Sequence, residues 1–343
     1  MISAVILIIM VGCAVAQYLK GTLVKSFQTF IAALCASFVA LWWYEQLSEM
    51  LIKQETLVDL AQPICFGMLF VITFAVLQTV AISLTKQKID FGIMPERVGR
   101  IVFGLLLGYV ISGVLLIGAA ISPLPGDYPY PRFDASRPDL KKPAKALLNP
   151  DGFVAGLFGI ISGGSASGTQ SFAVLHAGFV DELYLDRLNP KAKVRTSPAA
   201  ITIPPKAAAW PAPAGLKDSS GATIQSIADS DLIITRVGFA VRTEASLLPA
   251  QLRFICKKKD EKQRLGGSAV AIYPIGYLKS DNQVKTVGPK EEIPFNSQDV
   301  KNNVLWIDFV LYTPKDSEPV AVGFKSNVIA EVPPMVPAEQ APK

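Results

Sequence analysis

The residues best suited to chemistry lie close together in the middle of the chain. His176 is its only histidine, Asp181 and Asp186 follow it, and the loop Gly163-Gly164-Ser165-Ala166-Ser167-Gly168 precedes it. A nucleophilic serine needs a base within hydrogen-bond reach and an acid behind that base to orient it, and these are the residue types required. Their spacing is not that of a nucleophile elbow, because neither Ser165 nor Ser167 has glycine both two positions before and two after. The sequence therefore reads here as a flexible Gly/Ser turn and a surface histidine, and no catalytic residue is assigned. Metal chemistry fares no better. One histidine and one cysteine outside the apolar runs, Cys256, cannot close a zinc site. Asp229-Ser230-Asp231 lacks the spaced oxygen ligands of a calcium loop and reads as a turn before a strand. No metal or cofactor is assigned. Lys257-Lys258-Lys259 with Lys262 and Arg264 is interrupted by Asp260 and Glu261. That pattern reads as a solvated hairpin tip, with attraction to anionic lipid or wall polymer as the functional alternative.

The elements that would position these groups divide the chain in two. Half of the 343 residues are hydrophobic, and the apolar excess lies before Pro123. A hydrocarbon core about 30 Å thick takes about 20 apolar helical residues to cross. Four runs reach that scale: Ile2 to Tyr18, Leu23 to Tyr44, Ile64 to Leu84 and Ile101 to Ile121. The first also suits a signal peptide with Ala14-Val15-Ala16 as its cleavage site. However, its basic residues, Lys20 and Lys25, follow the apolar run instead of preceding it, so the reading is a retained helix. Cys13, Cys35 and Cys65 fall inside apolar runs, which leaves no disulfide framework for the polar half. A net charge of +5 without a basic stripe and interleaved aromatics excludes nucleic acid as a partner.

Lys and Arg near membrane ends favour the cytoplasm. The first connection holds Lys20 and Lys25, and the third holds Lys86, Lys88, Arg97 and Arg100. The second holds Glu45, Glu49, Glu55 and Asp59 against Lys53. Connections one and three are therefore expected inside, and both termini and everything after Pro123 outside. No Asp, Glu or His falls in the middle of a spanning run, where Gln28, Thr73, Gln78 and Thr79 are the main polar groups. That argues against an ion-coupled carrier, though not against a passive pore. Ala32, Ala36 and Ala40 on the second run, and Gly104, Gly108 and Ser112 on the fourth, make ridges of small residues. These suit packing inside the bundle or self-association.

Two stretches of this half carry a resemblance. Tyr18-Leu19-Lys20-Gly21-Thr22-Leu23-Val24-Lys25 leads through Phe27 into an alanine-rich helix ending in Trp42-Trp43-Tyr44. Glu96-Arg97 leads into Gly104 and Gly108. Over about residues 1 to 122 the chain resembles the colicin V production protein (CvpA) family, with Lys20, Gly21, Lys25, Glu96, Arg97, Gly104 and Gly108 as the matching positions. Arg100 stands where the family has the first glycine of its series, and Leu107 where a basic residue precedes the last. The resemblance implies a multi-pass protein of the inner (cytoplasmic) membrane with a role in toxin production or export and in envelope maintenance. It supplies no catalytic residues. Some relatives carry an extracytoplasmic trypsin-like protease, for which about 110 strand-rich residues are too few.

The remainder reads as tethers and strands. Residues 123–222 form Pro-rich tethers, the second from Pro198 to Pro213, around short amphipathic helices. One helix is capped by Asp151 and runs through Phe153, Leu157 and Ile160; another lies near Phe172 to Leu188. The apolar face of the first suits either the outer membrane surface of the bundle or the second helix. Residues 223–333 form a small antiparallel β-sandwich-like extracytoplasmic domain. Its strands are Leu232 to Thr243, Gln251 to Lys257, Ser268 to Leu278, Val304 to Tyr312, Val320 to Lys325 and Val328 to Val332. Residues 334–343 read as a disordered tail. The expectation is a membrane scaffold without enzymatic activity whose partners are the lipid bilayer, an extracytoplasmic protein or envelope component, and a second copy of the chain. The alternatives are an oligomeric channel or export component and, last, an extracytoplasmic hydrolase.

Overall fold

The computed structural model describes the whole chain except residues 55–57, 86–90, 135, 137, 166, 191–192, 243–245, 260–262, 281, 296–299 and 343. Several residues named above therefore lie outside the described residues: Glu55, Lys86, Lys88, Ala166, Thr243, Asp260, Glu261 and Lys262. The chain divides into two compact units, Met1–Phe158 and Gly159–Lys343, so the boundaries drawn at 122 and 222 do not coincide with its division.

Among the described residues of the first unit, four helices are long and apolar enough to cross a membrane: α1 (Ile2–Lys20), α2 (Leu23–Lys53), α3 (Ala61–Leu84) and α4 (Ile93–Ile121). Two run further than their apolar cores. Helix α2 continues through Glu45, Gln46 and Glu49 to Lys53, because such residues favour helix wherever water can solvate them. Helix α4 begins after Gly92, with Pro95 in its first turn, where a missing N–H leaves no bond unmade. Helix α4 is the hub, packing against α1 and α2, while α3 packs on α2. The outward faces of α1 and α3 are rows of exposed Leu, Ile, Val and Met, the surface a bilayer would cover.

The segment after α4 is not a free tether. Tyr130, Arg132 and Phe133 are buried, and the Ala144 N–H donates to the Arg132 carbonyl. It leads into α5 (Pro150–Gly163).

The second unit opens on two short helices, α6 (Phe172–Leu175) and α7 (Phe179–Leu185), where the sequence suggested one; Gly178, at φ 73°, breaks the helical path between them. The strands that follow are β1 (Ile201–Thr202), β2 (Ala209–Pro211), β3 (Ser230–Ala240), β4 (Ser246–Leu247), β5 (Leu252–Lys258), β6 (Val270–Ile272), β7 (Gly276–Ser280), β8 (Gln283–Thr286), β9 (Ile293–Pro294), β10 (Val300–Lys301), β11 (Val304–Pro314), β12 (Ser317–Phe324) and β13 (Val328–Glu331). Among the described residues they form a seven-stranded sheet in the order β1-β3-β11-β7-β8, with β2 also on β3 and β10 on β11. A four-stranded sheet, β13-β12-β5-β6, and the pair β4-β9 complete the set. Every pairing between these strands is antiparallel, and the sheets do not close into a barrel.

Strand alternation explains the core. Ile233, Val237 and Phe239 of β3 and Leu305, Ile307, Phe309 and Leu311 of β11 all carry odd numbers and point one way. They meet Leu252 and Phe254 of β5 and Val322 and Phe324 of β12 in a shared interior. Even-numbered Ile234 and Val310 belong to the opposite face, under Trp210, Leu216 and Val284.

Three segments differ from the sequence reading. The Ala/Pro stretch Pro198 to Pro213 contributes β1 and β2, both paired with β3. Ala208, Ala209 and Trp210 bury there, and short edge pairings tolerate the prolines that flank them. The run Ser268 to Leu278 is two strands in different sheets, parted at Pro274, which has no N–H to continue a ladder. The tail is ordered along part of its length: the Val336 N–H donates to the Ala209 carbonyl, and Met335 packs on the core.

Candidate functional site

At the end of the bundle where α1 turns into α2, the family-like positions do distinct jobs. Thr22 caps α2, its hydroxyl accepting from the Lys25 N–H. Glu96 reaches over from α4, and its Oε1 accepts from the Leu23 N–H at 3.0 Å, one of the N–H groups that the first turn of α2 leaves open. The same carboxylate accepts from Arg100, Nη2 at 2.7 Å and Nε at 3.2 Å, and Arg100 Nη1 donates to the Tyr18 carbonyl in the last turn of α1 at 3.5 Å. One ion pair thus places a negative group at the start of α2 and a positive group at the end of α1, each opposite the favourable pole of the helix dipole. Gly21 has no room for a side chain: a Cβ would lie 2.6 Å from the Gln17 carbonyl. Lys20, Lys25 and Arg97 are exposed.

Sequence reasoning missed Arg100 as a partner, although its place four residues after Glu96 was the available signal. Glu96→Ala removes both the acceptor for Leu23 and the partner of Arg100. Since losing a helix cap costs about 0.5–2 kcal/mol, it should lower the thermal midpoint of the purified protein. Arg97→Ala, at an exposed position, should leave that midpoint unchanged.

The small-residue ridge of α4 is filled from within the chain. A Cβ on Gly104 would lie 2.5 Å from Ala14 Cα, and one on Gly108 would lie 2.5 Å from Met10 Cα, so α1 rests directly on the α4 backbone. Ala32, Ala36 and Ala40 of α2 are likewise buried in the bundle. The ridges that suit self-association are thus occupied by the protein's own helices. Gln28 donates to the Thr85 hydroxyl, and Thr79 donates to the Ala75 carbonyl of its own helix.

The first unit holds a second polar group at the start of α5. Asp151, 1% exposed, accepts from the Tyr130 hydroxyl, which in turn accepts from Arg132 Nη1 at 2.9 Å. Burial, and then the Asp151 charge, push the Tyr130 phenol above its ordinary range.

In the second unit, the outward face of the four-stranded sheet carries a buried ionic cluster. On β5, Leu252 and Phe254 point into the shared core, so Arg253 and Ile255 point the other way, beneath α6 and α7. Ile255 packs with Val174 of α6. Arg253 Nη1 donates to Glu182 of α7, and the pair is 1% and 2% exposed. Gly323 on β12 leaves the space that the guanidinium fills, since a Cβ there would sit 2.9 Å from Arg253 Nη2. His176 Nδ1 lies 3.2 Å from the same Glu182 Oε2, and His176 is buried, so the surface histidine read from the sequence is corrected. Gln251 donates to the Asp186 carbonyl at 2.8 Å.

The cluster is built for holding, with Glu182 as the shared acceptor. Ser165 is exposed, and the Ser167 hydroxyl accepts from the Gly267 N–H at 2.9 Å. The basic run is also less uniform than it reads. Lys257 is buried, donating to the Gln263 and Gly266 carbonyls, and Arg264 pairs with Glu318, whereas Lys258 and Lys259 are exposed. Asp231 accepts from the Asp316 N–H, and no group of three or more metal-binding side chains occurs among the described residues.

Asp186 is the strained member. Burial, and then the neighbouring Glu182, raise its carboxyl well above the ordinary range, against the pull of Arg253, Lys325 and Arg187. Its folded form therefore binds a proton more tightly than its unfolded form, so this group's contribution to stability falls as pH rises above the ordinary aspartate value of about 3.9. Asp186→Asn should match the wild type near pH 4 and exceed it progressively in thermal midpoint toward neutral pH. A gap that stays constant or narrows would contradict this.

Residues 2–136 match the model of the family described as Colicin V production protein. The match covers all four apolar helices and supports a membrane-protein role in colicin V production. No curated protein and no solved structure matches the chain.

Proposed function

We propose, from the premise that residues 2–136 carry a Colicin V production protein domain, that this chain is a non-enzymatic scaffold of the cytoplasmic membrane serving colicin V production and envelope maintenance. The observation that carries the reading is the way the bundle uses its polar groups. Glu96 and Arg100 close helix ends, and neither they nor the glycines of α4 line a path through the bundle. Lys20, Lys25 and Arg97 stay exposed on the segments that Glu96 ties together, which supports a cytoplasmic location for that end and an extracytoplasmic one for both termini. The strand-rich unit then supplies the contact with a protein or envelope partner. Its exposed Trp306, lying over Gly238 near the Arg236–Asp308 pair, is an aromatic and charged surface of the kind that binding uses.

In colicin V-producing cells that carry this protein, deletion should lower secreted colicin V. The full chain should restore secretion, and so should the chain with Ser165→Ala and Ser167→Ala. Unchanged secretion on deletion would refute the role, and failure of the serine variant to restore it would refute the non-enzymatic part.

A further inference from the structure

Helix α5 contains Gly-Phe-Val-Ala-Gly-Leu-Phe, and from residue 146 to 158 the one charged side chain is Asp151, which is buried. Where this segment meets the bundle sets its height. Gly99 of α4 faces Leu23 of α2, and four residues on Phe103 packs on Phe27 and Phe30, so the two helices run in the same direction. Trp42 and Trp43, both exposed, stand at about the level of Gly118, and such a pair marks a membrane interface. The start of α5 lies below it. A Cβ on Gly113 would sit 2.3 Å from the Pro150 carbonyl oxygen, and Phe153 packs on Tyr109 with ring centres 5.0 Å apart. At 1.5 Å per residue, Gly113 is about 7 Å beneath that level and Tyr109 about 13 Å beneath it.

The other end of this stretch fixes the tilt. Phe158 packs on Phe38 and Trp42 of α2, at nearly the same height as Gly113. Pro150 to Phe158 spans about 12 Å of helix, enough to bridge the roughly 8–10 Å between neighbouring helix axes. The helix therefore lies across α4 and α2 instead of running alongside them. Irregular backbone at this depth requires its polar groups to be met. The Leu148 carbonyl accepts from the Tyr109 hydroxyl at 2.8 Å, the Asn149 carbonyl accepts from the Phe153 N–H, and the Asn149 N–H donates to Ala146. Leu147, Leu148 and Phe153 nevertheless remain exposed on the outer side, continuous with the apolar surface of α1 and α4 around Met10, Val102 and Leu106.

We infer that residues 146–158 form an in-plane membrane element. After leaving α4 the chain turns back into the leaflet opposite Lys20, and α5 rests there with Leu147, Leu148 and Phe153 against the acyl chains, between the levels of Gly113 and Tyr109, about 7–13 Å beneath the interface. The occupant of this face is lipid, because the face is apolar, uncharged and continuous with the surface that the spanning helices present to the bilayer.

The test uses the full chain with its four cysteines replaced, carrying Leu148→Cys or Lys141→Cys and an environment-sensitive fluorophore, in phosphatidylcholine vesicles. The Leu148 probe should be quenched by lipids bearing a nitroxide on the acyl chain and protected from aqueous iodide, with the Lys141 probe showing the reverse. Equal iodide quenching at both positions would overturn the inference. So would protection at Leu148 that fades on dilution into excess lipid, which would assign the face to a second copy of the chain. If the cysteine-replaced chain does not fold, the native chain can be crosslinked to lipid carrying a photoreactive acyl chain. Adducts on the peptide 146–158 are expected, and adducts confined to α1–α4 would overturn the proposal.

Discussion

Arg253→Met should destabilise the strand-rich unit by about 3–5 kcal/mol, the largest effect of any single change considered for it. Arg253 and Glu182 are almost wholly buried, and His176 and Asp186 crowd the same space. Removing the guanidinium leaves the Glu182 carboxylate without its main counter-charge in a poorly solvated place. The folded state must then hold an uncompensated buried charge, which disfavours it. Adding Glu182→Leu should recover much of the loss, because replacing both members of a buried pair by apolar groups is often near neutral. Denaturant unfolding of the full chain in detergent, followed through Trp210 and Trp306, would measure both. A loss under about 1 kcal/mol for Arg253→Met would mean that the cluster does not fasten α7 to the sheet.

Gly108→Leu should have a comparable effect on the membrane unit. Even Gly108→Ala places a carbon 2.5 Å from Met10 Cα and 3.0 Å from the Ile9 carbonyl oxygen, and both are backbone that cannot swing aside. Overpacking costs about 1–3 kcal/mol when side chains can adjust, and here α1 itself must move. Gly12→Ala is the matched control, because that glycine has nothing within 4 Å of where a Cβ would stand. Thermal unfolding in detergent should show a large drop for Gly108→Leu, a smaller one for Gly108→Ala and none for Gly12→Ala. Equal drops at Gly108 and Gly12 would contradict the packing of α1 on α4.

The sequence and the structure agree where a signal is local and strong. Twenty apolar residues in a row admit few readings, so the spanning helices were legible, as was the Lys20-Gly21 turn between the first two. Long alternating strands such as β3 and β11 were legible for the same reason. What stayed hidden depends on partners far away in the chain. Glu182 and Arg253 are 71 residues apart, and nothing near either announces the other. A hint did exist in Leu-Arg-Phe-Ile-Cys-Lys, a strand apolar on both faces whose single Arg would have to be buried with a partner. Pro198 to Pro213 looked like a tether because proline breaks regular structure, yet Trp210 and the alanines beside it bury well against β3. The landing of α5 on α2 and α4 was readable only as one of two options, because an apolar face does not say which surface it meets. Arg100 was read as a departure from the family pattern, whereas its partner Glu96 makes it part of the clamp.

The proposal that the membrane-crossing bundle carries the strand-rich unit outside the cytoplasm is tested most directly by single cysteines in the cysteine-replaced full chain, labelled in intact cells with a reagent that cannot cross the membrane. Asp59→Cys and Lys258→Cys, at exposed positions, should label in intact cells, and Lys25→Cys and Arg97→Cys only after the membrane is permeabilised. Labelling of Lys258→Cys only after permeabilisation, or on the same side as Lys25→Cys, would contradict the account.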